Sequence, residues 1–203
     1  MKKILNSLLF FLLSFSQIQC AAAAEEKIYE PKTLEEISAA KCSKLLFNAI
    51  EKKDTQAIMN ILSAPNLVVE KFINLKRHYI EETPLILACK NGDPYIVKLL
   101  LDAEANVNVA NKFGDTALVE ASAWRHSPLY IVRLLLEAGA DINAYRMENT
   151  PLTWALNNGN YEIAKLLIQA GANVNVTDNE GTPPLVEAAK YGKCEIVEKL
   201  IQA

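Results

Sequence analysis

With 203 residues, 51% of them hydrophobic and only 7 Gly and 8 Pro, the chain is long enough to bury one sizeable core and is composed for helices. Its formal charge of −3, from 21 basic and 24 acidic residues, excludes the basic footprint of a nucleic-acid binder.

The chain opens with Met1-Lys2-Lys3, an apolar run from Leu8 to Phe15, and four small residues, Ala21 to Ala24, before Glu25. A positive start, an apolar centre and an A-x-A end are the order of a secretory signal peptide, which predicts cleavage near Ala24. A membrane anchor is the other reading, but a span takes roughly 20 apolar residues. Here Asn6, Ser7, Ser14, Ser16 and Gln17 interrupt a shorter run. Cys20 raises a lipoprotein, against which stands Gln19 where a small residue is expected. The expected product carries 19 basic and 24 acidic residues, net −5, with no membrane span. Its destination is the periplasm or the exterior, and the Lys-, Ile- and Asn-rich text looks bacterial.

Residues 25–40 form a lead-in, with Thr33-x-x-Glu36 as a capped helix start. The segment "KLLFNAIEKKDTQAIMNILS" (residues 44–63) then pairs two apolar stretches. A long connection, residues 64–82, carries Lys71, Lys76, Arg77 and His78 among Phe72, Ile73 and Leu75. It is either a basic contact loop or a short helix covering the unit before it. Next come "TPLILACKNGDPYIVKLLLDAEANVN" from Thr83, "TALVEASAWRHSPLYIVRLLLEAGADIN" from Thr116, "TPLTWALNNGNYEIAKLLIQAGANVN" from Thr150, and "PPLVEAAKYGKCEIVEKLIQA" from Pro183.

The leading Leu of these units falls at Leu85, Leu118, Leu152 and Leu185, spaced 33, 34 and 33. Leu46 and Ala49 of the earlier unit align with Leu85 and Ala88, each 39 apart. Thr83 and Thr150 are placed to cap a first helix. Pro84, Pro151 and Pro184 fit its first turn, where a missing N–H costs nothing. Gly92, Gly159 and Gly192 end that helix. Ile163, Leu166 and Leu167 mark the inward face of a second helix at 3.6-residue spacing, closed by Gly171. Each unit is two antiparallel helices and a projecting hairpin, and no unit buries its own face alone.

A period near 33 with "TPL…A" followed by "IV..LL..GA..N" resembles the ankyrin repeat, over residues 41–203. The resemblance implies an all-α solenoid of stacked helix-turn-helix units joined by short hairpin-like connections. The copies run approximately 41–79, 80–112, 113–146, 147–179 and 180–203. Where the family carries His after "TPL", this chain has Ile86, Val119, Thr153 and Val186, so the usual Thr–His hydrogen bond is missing. Asn60 and Lys199 replace the inner Leu99, Leu134 and Leu166, as expected of terminal caps with wetter outer faces.

Chemistry is sparse. The two histidines, His78 and His126, lie in loops, and no H-E-x-x-H, G-x-S-x-G or phosphate-binding loop appears. Cys42, Cys89 and Cys194 have no metal-ligand spacing. Cys89 sits where other copies hold Ser122, Leu156 and Ala189, as a small filler; a Cys42–Cys89 disulfide is the alternative. "NVT" at Asn175 matches a glycosylation sequon, but the neighbouring copies make a structural turn residue the preferred reading. No cofactor, metal or catalytic group is expected.

The resemblance implies protein–protein binding by a monomer. Binding is expected on positions two after the leading Leu, facing outward along the concave side: Leu87, Glu120, Trp154 and Glu187. Packing of Trp154 on neighbouring helices is the bland alternative. "SAWRHSPLYIV" adds two residues to the third copy's helix turn and offers Trp124 and Arg125 as an exposed anchor; folding back to hide Trp124 is the alternative. The shortened hairpin "AYRMENT" presents Tyr145, Arg146 and Met147, with Phe113 the tip residue of the copy before. The expected function is a non-catalytic, exported protein-binding module. Against it stand a periplasmic protective or chaperone-like factor, a secreted effector acting on host proteins, and an enzyme with an unrecognised site.

Overall fold

The computed structural model describes residues 34–64, 69–77, 79–124 and 128–203, with side chains from Ala39 onward. The signal-peptide reading of 1–24, the segment 25–33, and His78, Arg125 and His126 lie outside the described residues. The chain divides into two compact units at Lys41/Cys42. Helix α1 (Leu34–Glu51) begins in the first and ends in the second. The second unit, 42–203, holds the repeats.

Nine further helices follow α1 among the described residues. They are α2 (Thr55–Leu62), α3 (Pro84–Asn91), α4 (Pro94–Asp102), α5 (Ala117–Ala123), α6 (Leu129–Glu137), α7 (Pro151–Asn157), α8 (Tyr161–Gln169), α9 (Pro184–Lys190) and α10 (Cys194–Gln202). A 3-10 turn, Val69–Lys71, lies between α2 and α3. The first helices, α3, α5, α7 and α9, pack side by side in one row; the second helices, α4, α6, α8 and α10, pack in a parallel row. The result is an all-α repeat solenoid of two layers.

The caps explain where helices start. Thr83 Oγ1 accepts from Ile86 N at 3.2 Å, and Thr116 Oγ1 from Val119 N at 3.3 Å, each satisfying a backbone donor the helix itself leaves unpaired. In the fourth repeat Thr153 occupies the family's histidine position and makes a reciprocal box. Thr150 N donates to Thr153 Oγ1 at 2.8 Å, while Thr153 N donates back to Thr150 Oγ1 at 3.4 Å. Ile86 and Val119, in the same position, are buried and serve as core instead.

Packing between repeats supplies the core. Leu85, Leu118 and Leu152 are buried, and Leu46 and Ala49 of the first repeat join them at the aligned positions. Burying each such Leu contributes about 1.5–3 kcal/mol. Leu185 departs from the expectation. It is 41% exposed, because in the described structure no further helix row lies beyond α9. Leu99 and Leu166 are half-buried, whereas Leu134 is buried.

Described residues of the long connection between α2 and α3 pack against the first repeat. Phe72 and Ile73 are buried, and Arg77 binds the fully buried Glu82 at 2.8 Å, also pairs with Glu51, and lies over the Phe47 ring. Arg77 is therefore spent inside the structure and is not offered to a partner. Cys42 and Cys89 are each buried, and no disulfide joins them. Burial, and then the charge of Glu120, push the Cys89 thiol well above the ordinary range, so it remains a protonated filler.

A ladder of asparagines and aspartate runs along the hairpins. Asn74 Oδ1 accepts from Asn106 N, Asn108 Oδ1 from Asp141 N, and Asn143 Oδ1 from Asn173 N, at 2.8, 2.8 and 2.9 Å. Within each repeat a second bond continues the chain: Asn106 Oδ1 to Asn108 N, Asp141 Oδ1 to Asn143 N, and Asn173 Oδ1 to Asn175 N, all at 3.0 Å. Asn175 thus sits in the last rung, a structural place for the sequon residue.

Candidate functional site: the loop tips and the first-helix row

Between the hairpin tips and the first helices lies a cleft of about 380 Å³. Phe113 and Arg146 line it from two successive tips, Lys90, Glu120 and Trp124 from α3 and the end of α5, and Asp115 from the turn between. Four of the sequence-predicted residues, Phe113, Glu120, Trp124 and Arg146, therefore meet in one place although they span 34 positions of chain.

Trp124 is 51% exposed and yet held at both ends. Its indole Nε1 donates to Glu120 Oε1 at 2.6 Å, one helical turn back. Its carbonyl accepts from Asn160 Nδ2 at 2.8 Å, and the same amide donates to Ser122 O at 2.8 Å. The third repeat lacks the glycine that ends the other first helices. Trp124 instead leaves α5 in extended conformation, φ −74° and ψ 125°, and Asn160 of the next repeat satisfies the carbonyls left open. Asn160 was not legible as a site residue; it reads as an ordinary N-cap of α8, and no side-chain capping bond is made there. The folding-back alternative for Trp124 does not hold, since half of the residue remains in solvent.

The fourth tip is built against preference. Arg146 and Asn149 exchange N–H···O bonds at 2.9 and 2.8 Å, and the two residues between them, Met147 (φ 45°) and Glu148 (φ 61°), are both left-handed without being glycine. Two left-handed residues closing a two-residue hairpin are usually Asn-Gly, and non-glycine residues there carry roughly 1–2 kcal/mol each. Met147 and Tyr145 are exposed at this tip, each 61%, and Phe113 is exposed at the tip before it. Arg146 is turned inward: it pairs with buried Asp115 and lies 5.2 Å from the Trp154 ring centroid. Asp115 is fixed in turn by Asn111, whose Nδ2 donates to Asp115 Oδ2 at 2.8 Å.

The first-helix row differs from the expectation of outward-facing side chains. Leu87, Glu120 and Glu187 are buried, and Trp154 is half-buried beneath Arg146. The Trp154 Nε1 is buried without a hydrogen-bond partner, so its polar edge is not presented to solvent. The exposed apolar surface lies one shell out, on Phe113, Trp124, Tyr145 and Met147. Arg125 lies outside the described residues. Among the described residues no group of His, Cys, Asp and Glu is placed to hold a metal ion, and no helix is long and apolar enough to cross a membrane.

Paired helices stacked in two rows, with projecting tips beside the first helices, define the class of helical repeat scaffolds. The family model for ankyrin repeats (3 copies) matches residues 46–146 and 145–203, and the chain belongs to the ankyrin repeat family. The family is typically non-catalytic and its repeats form a protein–protein interaction module. No curated protein matches the chain.

Proposed function

We propose that the chain is an exported, non-catalytic ankyrin-repeat module that holds a protein partner through its hairpin tips and the adjoining first-helix groove. The observation that carries the reading is Trp124, a large exposed aromatic held at its indole by Glu120 and at its backbone by Asn160. An exposed side chain fixed before a partner arrives loses little entropy on binding, and Trp is enriched where interfaces concentrate their energy. The left-handed Met147–Glu148 turn supports the same reading, since backbone held off its preferred conformation concentrates at binding sites. Export rests on the order of residues 1–24 and is checked by the N-terminal residue of the secreted chain, expected at Glu25.

Affinity capture with the full chain, beside Trp124→Ala/Tyr145→Ala and Trp154→Ala variants, tests the binding surface. The double variant is expected to lose about 2 kcal/mol or more of affinity for a captured protein, roughly thirtyfold, measured with purified components. Trp154→Ala is expected to lose less, because its ring is already covered by Arg146. A folded double variant that retains the partner at full affinity sinks the assignment.

A further inference from the structure

Glu120 and Glu187 hold the same repeat position and are equally buried, each 7% exposed, but their charges are treated differently. Glu187 has the Lys190 ammonium 3.6 Å away, one turn along its own helix. Among the described residues no ion pair reaches Glu120, and the printed bond to it is the neutral indole N–H of Trp124 on Oε1. A carboxylate withdrawn from water without a counter-charge is costly to the fold. The described cations that line the cleft or adjoin it already have partners. Lys90 is bound to Glu82 at 3.2 Å, Arg146 pairs with Asp115, and Lys112 lies over the Tyr79 and Phe113 rings.

We infer that the cleft between Phe113 and Trp124 is a receptor for one cationic side chain, arginine or lysine, of the bound partner. Glu120 is its counter-ion, and the two aromatic residues are its walls. The inference rests on the protein-binding reading above and adds the partner's chemistry at this spot. A guanidinium or ammonium entering the cleft completes the pairing that Lys190 supplies to Glu187 in the last repeat. Aromatic walls favour the same guest, because a ring face attracts a cation and the aliphatic stem covers apolar surface. A carboxylate guest would meet uncompensated Glu120 and would have to draw Lys90 or Arg146 from their own acids.

The test follows the indole N–H signal of Trp124 by NMR in the full chain, with the Trp154 signal as an internal reference. The probe is the capped tripeptide acetyl-Ala-Arg-Ala-amide, with Gln and Glu tripeptides as controls. A saturable shift of Trp124 with the arginine peptide is expected, together with at least about tenfold weaker binding in Glu120→Gln. The glutamine oxygen still accepts from the indole, so the ring stays placed and loss of binding reports loss of charge. No saturable shift, an equal shift with the Gln peptide, tighter binding of the Glu peptide, or an unchanged Glu120→Gln overturns the inference. The two readings fail separately. A captured partner that binds Glu120→Gln as tightly as the original chain removes the cationic guest and leaves the docking surface. The expected peptide response with no protein captured does the reverse.

Discussion

The third repeat and the last one carry the same leading leucine in the same register, and the two leucines have opposite surroundings. Leu118 is wholly buried between the helices of the repeats on either side, while Leu185 is 41% exposed, and Val186 beside it and Ile201 on α10 are more exposed still. Hydrophobicity at a repeat position therefore does not make core. The following repeat does, by covering it. Even the caps divide this way: Thr116 and Thr150 close their helices with side-chain bonds, whereas Pro183 starts α9 with none.

The largest expected effect separates the two leucines directly. Leu118→Ala should destabilise the protein by about 2–5 kcal/mol, the range for a fully buried leucine that leaves a cavity. Leu185→Ala should cost less than about 1 kcal/mol, since its site is already open to water. Urea unfolding of both variants decides it; equal losses would mean that Leu185 is covered in solution by something beyond this fold.

A smaller effect tests the caps. Thr150→Ala removes the reciprocal box at the start of α7 and should cost about 1 kcal/mol in the same measurement. No change would assign the start of α7 to Pro151 and packing alone.

The smallest effect is one of pH. The third hairpin is closed by Asn111, whose amide oxygen accepts from Phe113 N and Asp115 N at 2.8 and 3.0 Å. In the last hairpin the same work falls to Asp178, which accepts from Glu180 N at 2.9 Å and Thr182 N at 2.8 Å, and from Asn157 Nδ2 at 3.1 Å. Burial alone raises the Asp178 pKa, but the donors of Thr182, Asn157 and Glu180 outweigh it and hold the carboxyl below its ordinary value of 3.8. A depressed pKa means that the native state favours the charged form. The stabilisation is therefore complete above pH about 4 and is lost as the solution is acidified through the lowered value. Asp178→Asn should flatten the acid limb of the stability profile, because an amide serves at Asn111 at any pH. An unchanged acid limb would place the sensitivity elsewhere.

Much of the fold was legible because the repeat writes each local rule several times. Period, Thr-Pro starts and glycine stops appear as spacings in the chain, and the helices begin at Pro84, Pro151 and Pro184 as those rules require. The site was legible only in part. Phe113, Trp124, Tyr145 and Met147 stand out as departures from the repeat, and departures carry surface. Leu87, Glu120 and Glu187 were expected to face outward and are buried instead, although Glu120 still lines the cleft. Nor does a periodic reading find Asn160, whose two bonds reach back 38 and 36 residues to mend an irregularity in another repeat. The contact exists only because the third repeat broke its own pattern.

The asparagine ladder along the hairpins amounts to a ruler. Its rungs pass from Asn74 through Asn108 and Asn143 to Asn173, and each cross-repeat bond holds two neighbouring units at one height. The extra two residues of the third repeat fall at the turn between α5 and α6, and the shortening of the fourth falls at the tip between Arg146 and Asn149. Both lie between the marks. Length is thus free to vary where surface is needed, at Trp124 and at Met147, while the graduations along the edge keep the stack in register.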